Sequence, residues 1–464
     1  MDGLTAADSK SILGSLAQHI CGFDPTRISD HGLHAAKVGI VDTIGVTLAG
    51  LPESCVQILR KTPGVGDAIG PALVFGTSQR TSALDATLIN GTASHALDFD
   101  DFSSIMGGHQ SVPLMAPLFA LADERGLTGR QIIDAYVVGI EVEHRFARAV
   151  HPHHYDKGWH PTATLGIFGT AAACAYAMKL DIEKTTIAMA IATSMASGLK
   201  ANFGTMTKPL HVGHSARSGL MACYLAEGGF EANPSAMEHH QGFLNVFNGE
   251  GLFDPTPLIE DWSDPLDIEL PVLSLKQFAC CGSMQQAIFA MLDLAKGEDI
   301  DHGRVTAIDI GLHERRLRHT NNPFPESVLQ AKFSVQYTVA RALKDRALLL
   351  KDFEGEAFLE SDIRRLLDIT TAHPLPDDGP GPTGQWDACV SVTLDDGTRL
   401  ARDVHDMVGR SGDNAMSRDE LREKFMDCAG LAISSDAAAQ AFDALMSLED
   451  FDDLDEVVSF LAKS

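Results

Sequence analysis

The chain has 464 residues, more than the roughly 250–300 at which a single hydrophobic core usually stops growing, so two domains are expected. It carries 63 Asp and Glu residues against 36 Lys and Arg, a formal net charge of −27 at pH 7. A field of that sign repels nucleic-acid phosphates and anionic lipid headgroups, so neither nucleic acid nor membrane is an expected partner. An anion can bind only where a few cations and histidines are gathered locally.

The cysteines and the first residues predict a cytoplasmic protein. The eight cysteines contain no CxxC pair, a pattern typical of reduced, buried thiols. Residues 1–14 have no basic stretch leading into an apolar run, so no secretory signal is expected. The most apolar stretch, residues 163–178, is shorter than the roughly 20 residues that span a bilayer and predicts a buried helix.

In chain order, the sequence first predicts a large helical domain. From residue 8 to about 251, Ala-rich and Leu-rich segments alternate with short connectors that contain Gly, Pro or His. Residues 131–149 show the mixed three and four spacing of apolar residues that is typical of a core helix. The composition changes to Pro and Asp at 255–271, which indicates a boundary.

A smaller α+β domain is predicted next. Residues 305–312 alternate like a strand, and 389–394 lead through Asp395-Asp396-Gly397 into 398–404, which predicts a hairpin. Helices are predicted at 334–348 and 355–369, a surface loop at 373–385, and further helices in 417–464. The predicted fold is mainly α, with a large all-helical domain over 1–268 and 405–464 and a smaller α+β domain over 269–404.

The first candidate for chemistry is an island of histidines and carboxylates. His95, Asp98, Asp100, Asp101 and His109 fall within a short stretch of chain. On a helix, His95 would lie one turn from Asp98, and Asp98 one turn from Asp101, so that a carboxylate could hold an imidazole in one tautomer. The alternative is a helix end with ordinary capping acids. The density of the island favours a functional site.

Two further islands supply histidines and cations. His160 directly precedes a predicted helix, where exposed N–H groups favour an anion. A Gly-containing stretch, 202–217, carries His211 and two candidate carboxylate clamps, Lys208 and Arg217. Lys276 and Tyr337, from the second domain, could close a site from above.

Cofactor chemistry finds little support in the sequence. It contains no HExxH motif and no zinc-type His–Cys spacing, so no metal is expected. Gly64, Gly66 and Gly70 have the wrong spacing for a dinucleotide loop. Cys280 and Cys281 are more typical of buried thiols than of nucleophiles. No cofactor is predicted.

Five runs, taken together and in order, resemble the MmgE/PrpD family. They are LDFDD at 97–101, GHQSVP at 108–113, GWHPT at 158–162, TKPLH at 207–211, and Lys276 with Cys280-Cys281-Gly282. The resemblance implies a helical domain with an inserted α+β lid, usually a homodimer. It also implies cofactor-free proton transfer beside a carboxylate, as in 2-methylcitrate dehydratases, cis-aconitate decarboxylases and an iminodisuccinate epimerase.

The resemblance also implies the residues that surround the substrate: Asp98, His109, His160, Lys208, Lys276 and Tyr337. Two departures stand out. The loop between Asp101 and His109 is one residue longer than in the decarboxylases, which puts Phe102 or Ser103 where they carry a threonine. Many members have a histidine within ten residues after the lysine, whereas here Cys281, Gln285 and Gln286 occupy that region.

The predicted function is a hydro-lyase, similar to 2-methylcitrate dehydratase, that acts on a small di- or tricarboxylate. His160 or His109 would remove a proton, oriented by Asp98, while the other histidine or Tyr337 protonates the leaving hydroxyl. The side chains predicted to bind carboxylates are Lys208, Lys276, Arg217 and His211. The alternatives are an epimerase, a cis-aconitate-type decarboxylase and, from another class, a carboxylate-binding protein without activity.

Overall fold

The computed structural model describes residues 11–376, 384–405 and 409–463. The fold is mainly helical, as predicted. In chain order the helices are α1 (Ile12–Cys21), α2 (Asp30–Gly50), α3 (Ser54–Arg60), α4 (Ala83–His95), α5 (Val112–Arg125), α6 (Gly129–Val150), α7 (His153–Lys157), α8 (Pro161–Thr164), α9 (Gly166–Ala177), α10 (Ile182–Met195), α11 (Thr207–Glu227), α12 (Phe243–Asn248), α13 (Thr256–Ile259), α14 (Gln285–Gly297), α15 (Glu314–Leu317), α16 (Val328–Ala331), α17 (Val335–Asp345), α18 (Ser361–Asp368), α19 (Arg418–Ala429), α20 (Ser435–Met446) and α21 (Asp455–Phe460). The strands are β1 (Ala72–Leu73), β2 (Arg80–Thr81), β3 (Phe102–Ser103), β4 (Leu273–Ser274), β5 (Val305–Leu312), β6 (Thr370–Pro374), β7 (Ala388–Leu394) and β8 (Arg399–Val404).

The first compact unit contains the chain up to Leu275 and again from Gly412 onwards. Its core is built from α4, α5, α6, α9 and α11, which pack against one another through buried aliphatic and alanine side chains. Helices α4 and α11 approach closely at two glycines, because a Cβ on Gly91 would lie 3.0 Å from the Cα of Gly213. This contact brings the end of α4 near the start of α11.

The prediction that this unit is all-helical is wrong in one respect. Two small antiparallel ladders join β1 to β2 and β3 to β4. In the second ladder Phe102 pairs with Ser274 and Ser103 pairs with Leu273. Strands of two residues are too short to show the alternation on which strand prediction depends.

The second compact unit spans Lys276–Ser411. Its four-stranded sheet has the order β6-β5-β7-β8, in which β6 runs parallel to β5 and the other neighbours are antiparallel. The predicted strand β5 and the hairpin of β7 and β8 are confirmed. Strand β6 was not predicted, because its side chains show no alternation and residues 373–385 look like a loop.

Several helix predictions are confirmed within small shifts of their ends. Helix α6 begins at a capping box formed by Thr128 and Gln131, and α9 is the buried helix expected from the apolar stretch. The helix predicted at 355–369 is shorter, because Gly355 has a φ of +54° and the chain forms 3₁₀ turns before α18 begins at Ser361. The tail forms α19 to α21 in the first unit.

The structure also shows the state of the cysteines and the lengths of the apolar helices. All eight cysteines are free thiols, although Cys21 is exposed and Cys55 and Cys389 are only half-buried, which corrects the expectation of burial. Within the described residues, no single helix has the length and hydropathy to cross a membrane, and α2 and α3 meet the criterion only as a pair with a bend of 76°. Two predictions fall partly outside the described residues. They are the absence of a signal, which concerns residues 1–10, and the surface loop, which includes residues 377–383.

Candidate active site

The centre of the site is the buried carboxylate of Asp100, not Asp98. Helix α4 ends at His95, and Asp98 has a left-handed backbone with a φ of +53°, so the helix does not continue through the acidic run. The helical spacing predicted for His95, Asp98 and Asp101 is therefore wrong. Instead, the Nδ1 of His95 faces Asp100, 2.9 Å from Oδ2 and 3.0 Å from Oδ1.

The second imidazole on this carboxylate belongs to His109. Its Nδ1 lies 2.7 Å from Oδ2 of Asp100, and its Nε2 lies 3.5 Å from Oδ1 of Asp98. A ring with a carboxylate at each nitrogen interacts best with both when both nitrogens carry a proton. Asp98 and Asp100 thus favour the charged form of His109, whose side chain keeps 12% of its surface exposed.

A tight loop delivers His109 to these carboxylates. Ser103 donates its backbone N–H to the carbonyl of Gly108 at 2.8 Å, and the backbone N–H of His109 donates to Oγ1 of Thr162 at 3.0 Å. A Cβ on Gly108 would lie 2.8 Å from the backbone nitrogen of Thr162, so this close approach requires glycine. The loop residue Ser103 faces His144, with its Oγ 2.9 Å from the ring Nε2.

Lys208 contributes the cation of the cluster, as the sequence predicts. It lies in the first turn of α11 and is buried, and its Nζ donates to Oδ1 of Asp98 at 2.6 Å. The ammonium group also lies 5.1 Å from the centre of the Phe203 ring. Asp98 therefore connects Lys208 to His109.

His160 completes the cluster from the N-terminal end of α8, where the sequence predicts it. Its ring stacks 5.7 Å from that of His95 and meets the edge of Phe203 at 4.9 Å. Its Nδ1 lies 3.3 Å from Nδ1 of His211. The buried Nε2 of His160 has no hydrogen-bond partner among the residues that the structure describes.

The electrostatics separate the histidines into two kinds. Burial holds the pKa of His160 well below its ordinary value, and the nearby charges of His95 and Lys208 lower it further. Burial also lowers the pKa of His95 to about 4, although Asp100 opposes this shift. His160 and His95 are therefore neutral near pH 7.

The carboxylates also differ in charge. Burial would raise the pKa of Asp100, but the charges and hydrogen bonds of His109 and His95 hold it well below its ordinary value. Burial and the neighbouring Asp42 raise the pKa of Asp101 to about 8. Asp101 accepts hydrogen bonds from Ser111 and is a protonated support near pH 7, whereas Asp100 is an ionised anchor.

Arg217 is not brought to this cluster. It lies nine residues after Lys208 on the same helix, a rise of about 13 Å, and pairs with Asp85 at 3.8 Å. The Gly-containing stretch 202–217 is not one loop that gathers both cations, because α11 already begins at Thr207. The predicted role of Arg217 as a carboxylate clamp gains no support from this position.

Lys276 and Tyr337 belong to the second unit, and both are buried. The Tyr337 hydroxyl donates to the carbonyl of Asp352 and accepts from Nε of Arg341 at 3.2 Å. Burial raises the pKa of Tyr337 to about 12, so its phenol keeps its proton near pH 7. The roles of both residues in the site remain predictions.

Three members of the cluster, His95, Asp100 and Phe203, were given no role in the predicted mechanism, although His95 and Asp100 belong to the first candidate island. A signal for Asp100 was present, because Asp98 and Asp100 flank Phe99. In an extended chain, residues two positions apart point to the same face. Nothing in the sequence distinguishes Phe203 from the other phenylalanines.

Four residues have the donor atoms and spacing to hold a metal ion: His95, Asp98, Asp100 and His109, whose ligand atoms lie within 4.8 Å of one another. Their contacts already balance the charges in this cluster. Asp98 faces the Lys208 ammonium, and Asp100 faces two imidazoles. A metal ion would have to displace those partners, so these contacts favour acid–base chemistry.

The sequence of the chain is similar to those of known proteins. Residues 14–256 match the MmgE/PrpD N-terminal domain, and residues 278–450 match the MmgE/PrpD C-terminal domain. The chain is 28% identical over 462 residues to the cis-aconitate decarboxylase of Homo sapiens, covering 97% of this chain and 95% of that protein. It is 25% identical over 452 residues to the cis-aconitate decarboxylase of Aspergillus terreus, covering 92% and 91%.

A buried acid–base cluster and relatives of this kind define an enzyme of the lyase type. The two matched domains cover most of the sequence. The chain belongs to the MmgE/PrpD family, and the resemblance drawn from its motifs is confirmed.

Proposed function

We propose that the chain is a cofactor-independent hydro-lyase that removes water from a small di- or tricarboxylate. The observation that carries this proposal is the contrast between two histidines in one cluster. His160 is buried and neutral, whereas His109 has a carboxylate at each ring nitrogen. An elimination needs one group of each kind, a base for the C–H proton and an acid for the leaving hydroxyl.

In the proposed reaction, His160 takes the proton from the carbon beside a substrate carboxylate. The C–H electron pair forms the double bond as the C–O bond breaks, and His109 protonates the departing hydroxyl to give water. Asp100 and Asp98 stabilise the charged ring of His109 before it donates its proton. A positioned acid–base group typically contributes about 10²–10⁴ in rate.

Lys208 is the proposed carboxylate-binding group, and its pairing with Asp98 prepares it for that role. A substrate carboxylate would compete with Asp98 for the ammonium group of Lys208. The ammonium group would then stabilise the negative charge that develops on the substrate. His211, beside His160, is a proposed second binding group. The same proposal includes Lys276 as a carboxylate ligand, Tyr337 as the alternative proton donor to His109, and the second unit as a lid.

Lys208→Met is expected to reduce kcat/KM by about 10²-fold, because it removes a buried cation that binds the reacting carboxylate. Arg217→Met is the matched control on the same helix and should change kcat/KM little, since Arg217 pairs with Asp85 away from the cluster. Steady-state kinetics of the two variants make the comparison. An equal loss in both variants would contradict the assignment of the carboxylate-binding role to Lys208 and not to Arg217.

The pH dependence should reflect the low pKa of His160. The base must be neutral, and burial holds its pKa well below the ordinary 6.5. We therefore expect kcat/KM to stay level as the pH falls from about 7.5 to about 6 and to decline only at lower pH. A decline centred at 6.5 in a pH–rate profile would instead indicate a histidine with an ordinary pKa.

Decarboxylation is the second candidate, because the relatives described above are named cis-aconitate decarboxylases. In that reaction the C–C bond to one carboxylate breaks, carbon dioxide leaves, and His109 protonates the resulting carbanion. Decarboxylation therefore needs the proton donor His109 but not a base that removes a C–H proton. A substrate with a carboxylate on the carbon next to a double bond would take this route.

Proton NMR in deuterated buffer distinguishes the reactions, using chelator-treated enzyme with citrate, 2-methylcitrate, cis-aconitate and iminodisuccinate. A new olefinic signal from a hydroxy acid supports the hydro-lyase. The signals of a decarboxylated product support the decarboxylase, and deuterium uptake with inversion would replace both with an epimerase. Binding without any reaction would contradict the proposed activity and favour a carboxylate-binding protein.

The setting of the enzyme is also a proposal. The net charge of −27 and the free thiols support a reducing, cytoplasmic location and partners other than nucleic acid or membrane. A homodimer is expected from the family resemblance. Sedimentation of the purified protein tests the assembly.

A further inference from the structure

We propose that Lys424, on the C-terminal helix α19, is a positioning residue for the acid–base cluster. It is far in sequence from every residue of the site. The contacts given below join it to Asp42 and Phe99, and neither is a reacting group of the proposed mechanism. Its kinetic readout depends on the proposed function, whereas its structural readout does not.

Three contacts of the buried Lys424 ammonium carry the inference. Its Nζ donates to the backbone carbonyl of Phe99 at 3.0 Å. It lies 2.5 Å from Oδ1 of Asp42 and 4.0 Å from the centre of the Phe99 ring. Phe99 stands between Asp98 and Asp100, the two carboxylates that face His109. Lys424 therefore holds the backbone between them.

Asp42 is the buried counter-ion of Lys424. Burial raises the pKa of the Asp42 carboxyl, although the Lys424 ammonium beside it and the backbone N–H of Asp101 oppose this shift. The ammonium that binds the Phe99 carbonyl is thus itself paired with a carboxylate. Asp100 directly follows Phe99, and its side chain faces His95 and His109.

Helix packing explains how Lys424 reaches this position. Helices α2 and α19 approach closely where Gly45 meets Phe425, because a Cβ on Gly45 would lie 2.9 Å from the Phe425 ring. Asp42 lies one turn before Gly45 on α2, and Lys424 precedes Phe425. The close contact requires the missing side chain at Gly45 and places the lysine beside the aspartate.

The segment needs such support because its backbone is strained. Asp98 is a non-glycine residue with a φ of +53°, in a region that persists only when surrounding structure enforces it. Without the Lys424 ammonium, the carbonyl of Phe99 would lose a buried donor. The segment could then relax, and Asp100 would move relative to its two histidines.

The test separates positioning from simple neutralisation of Asp42. The variants are Lys424→Met, Asp42→Asn, the double variant, and Arg422→Met as a control on the same helix, where Arg422 pairs with Asp443 at 3.1 Å. The double variant leaves no unbalanced buried charge, so a loss that persists in it does not come from an unpaired Asp42 carboxylate. Each protein is assayed for its thermal midpoint, kcat, KM and histidine NMR signals.

We expect Lys424→Met to lower the thermal midpoint and to reduce kcat by about 10²-fold with little change in KM, because misplaced catalytic groups affect the chemical step. The double variant should recover the thermal midpoint but not kcat, since the Phe99 carbonyl still lacks its donor. Arg422→Met should leave both unchanged. Recovery of kcat in the double variant would overturn the proposal.

Histidine NMR makes the test independent of turnover. The ring Cε1–H signals of His95 and His109, assigned with the His95→Gln and His109→Gln variants, should shift in the double variant because Asp100 has moved. Unchanged signals in a folded double variant would overturn the positioning role, even if no tested acid is a substrate. Shifted signals without any turnover would support positioning and count against the proposed activity.

Discussion

Replacing His160 by Gln is expected to reduce kcat by about 10²–10⁴-fold while the protein stays folded. The imidazole is the proposed base, and burial together with the nearby positive charge of Lys208 keeps it neutral. Glutamine has a similar size but cannot accept a proton near pH 7. The measurement is single-turnover kinetics on the substrate found by NMR, with circular dichroism to verify the fold.

His214→Gln is the matched control for this prediction. His214 is an exposed histidine on α11, three residues beyond His211. Its replacement should leave kcat near that of the wild type. Wild-type turnover in His160→Gln would remove His160 from the mechanism, whereas a large loss in His214→Gln would show that the effect is not specific to the cluster.

Elements of both units could be predicted because their sequences carry a repeated local pattern. Helix α6 spans Gly129–Val150, and its apolar spacing together with the capping residues Thr128 and Gln131 marks both its type and its start. The hairpin of β7 and β8 was equally visible, since two alternating runs flank a turn containing Gly397. Such patterns are local and do not depend on tertiary contacts.

The sequence also indicated His109, His160 and Lys208, which the structure brings into one cluster, but it did not indicate the partners of these side chains. His95 faces Asp100 and not the predicted Asp98, because the helix stops before Asp98, which has a positive φ. Aspartate adopts that conformation often enough to be permitted, yet no pattern requires it. The long-range contact of Lys424 with Phe99 depends on the packing of two helices and has no local signal at all.

The position of Arg217, away from the cluster, could have been predicted from the sequence. Pro209 follows Thr207 and Lys208, and proline is common in the first turn of a helix, where its missing N–H has no consequence. With α11 beginning at Thr207, Lys208 and Arg217 are separated by more than two helical turns. A helix start at this point would have excluded a shared clamp.

Asp100→Asn is expected to reduce kcat by up to about 10⁴-fold, the size seen when a carboxylate behind a catalytic histidine becomes an amide. The change removes the negative charge that faces both His95 and His109, and it leaves one acceptor oxygen and one N–H₂ group where two acceptor oxygens now face the imidazoles. His109 then loses one of the two carboxylates that favour its charged form. Single-turnover kinetics measures the loss.

Asp101→Asn is the matched control, and it makes the prediction specific to charge. The two aspartates are neighbours and both are buried, but the pKa of Asp101 is raised to about 8, whereas that of Asp100 is held well below its ordinary value. Asparagine therefore resembles the neutral form that Asp101 already has near pH 7, so kcat should change little. Equal losses in the two variants would mean that the segment tolerates no change of side chain, and the ionised state of Asp100 would no longer explain the effect.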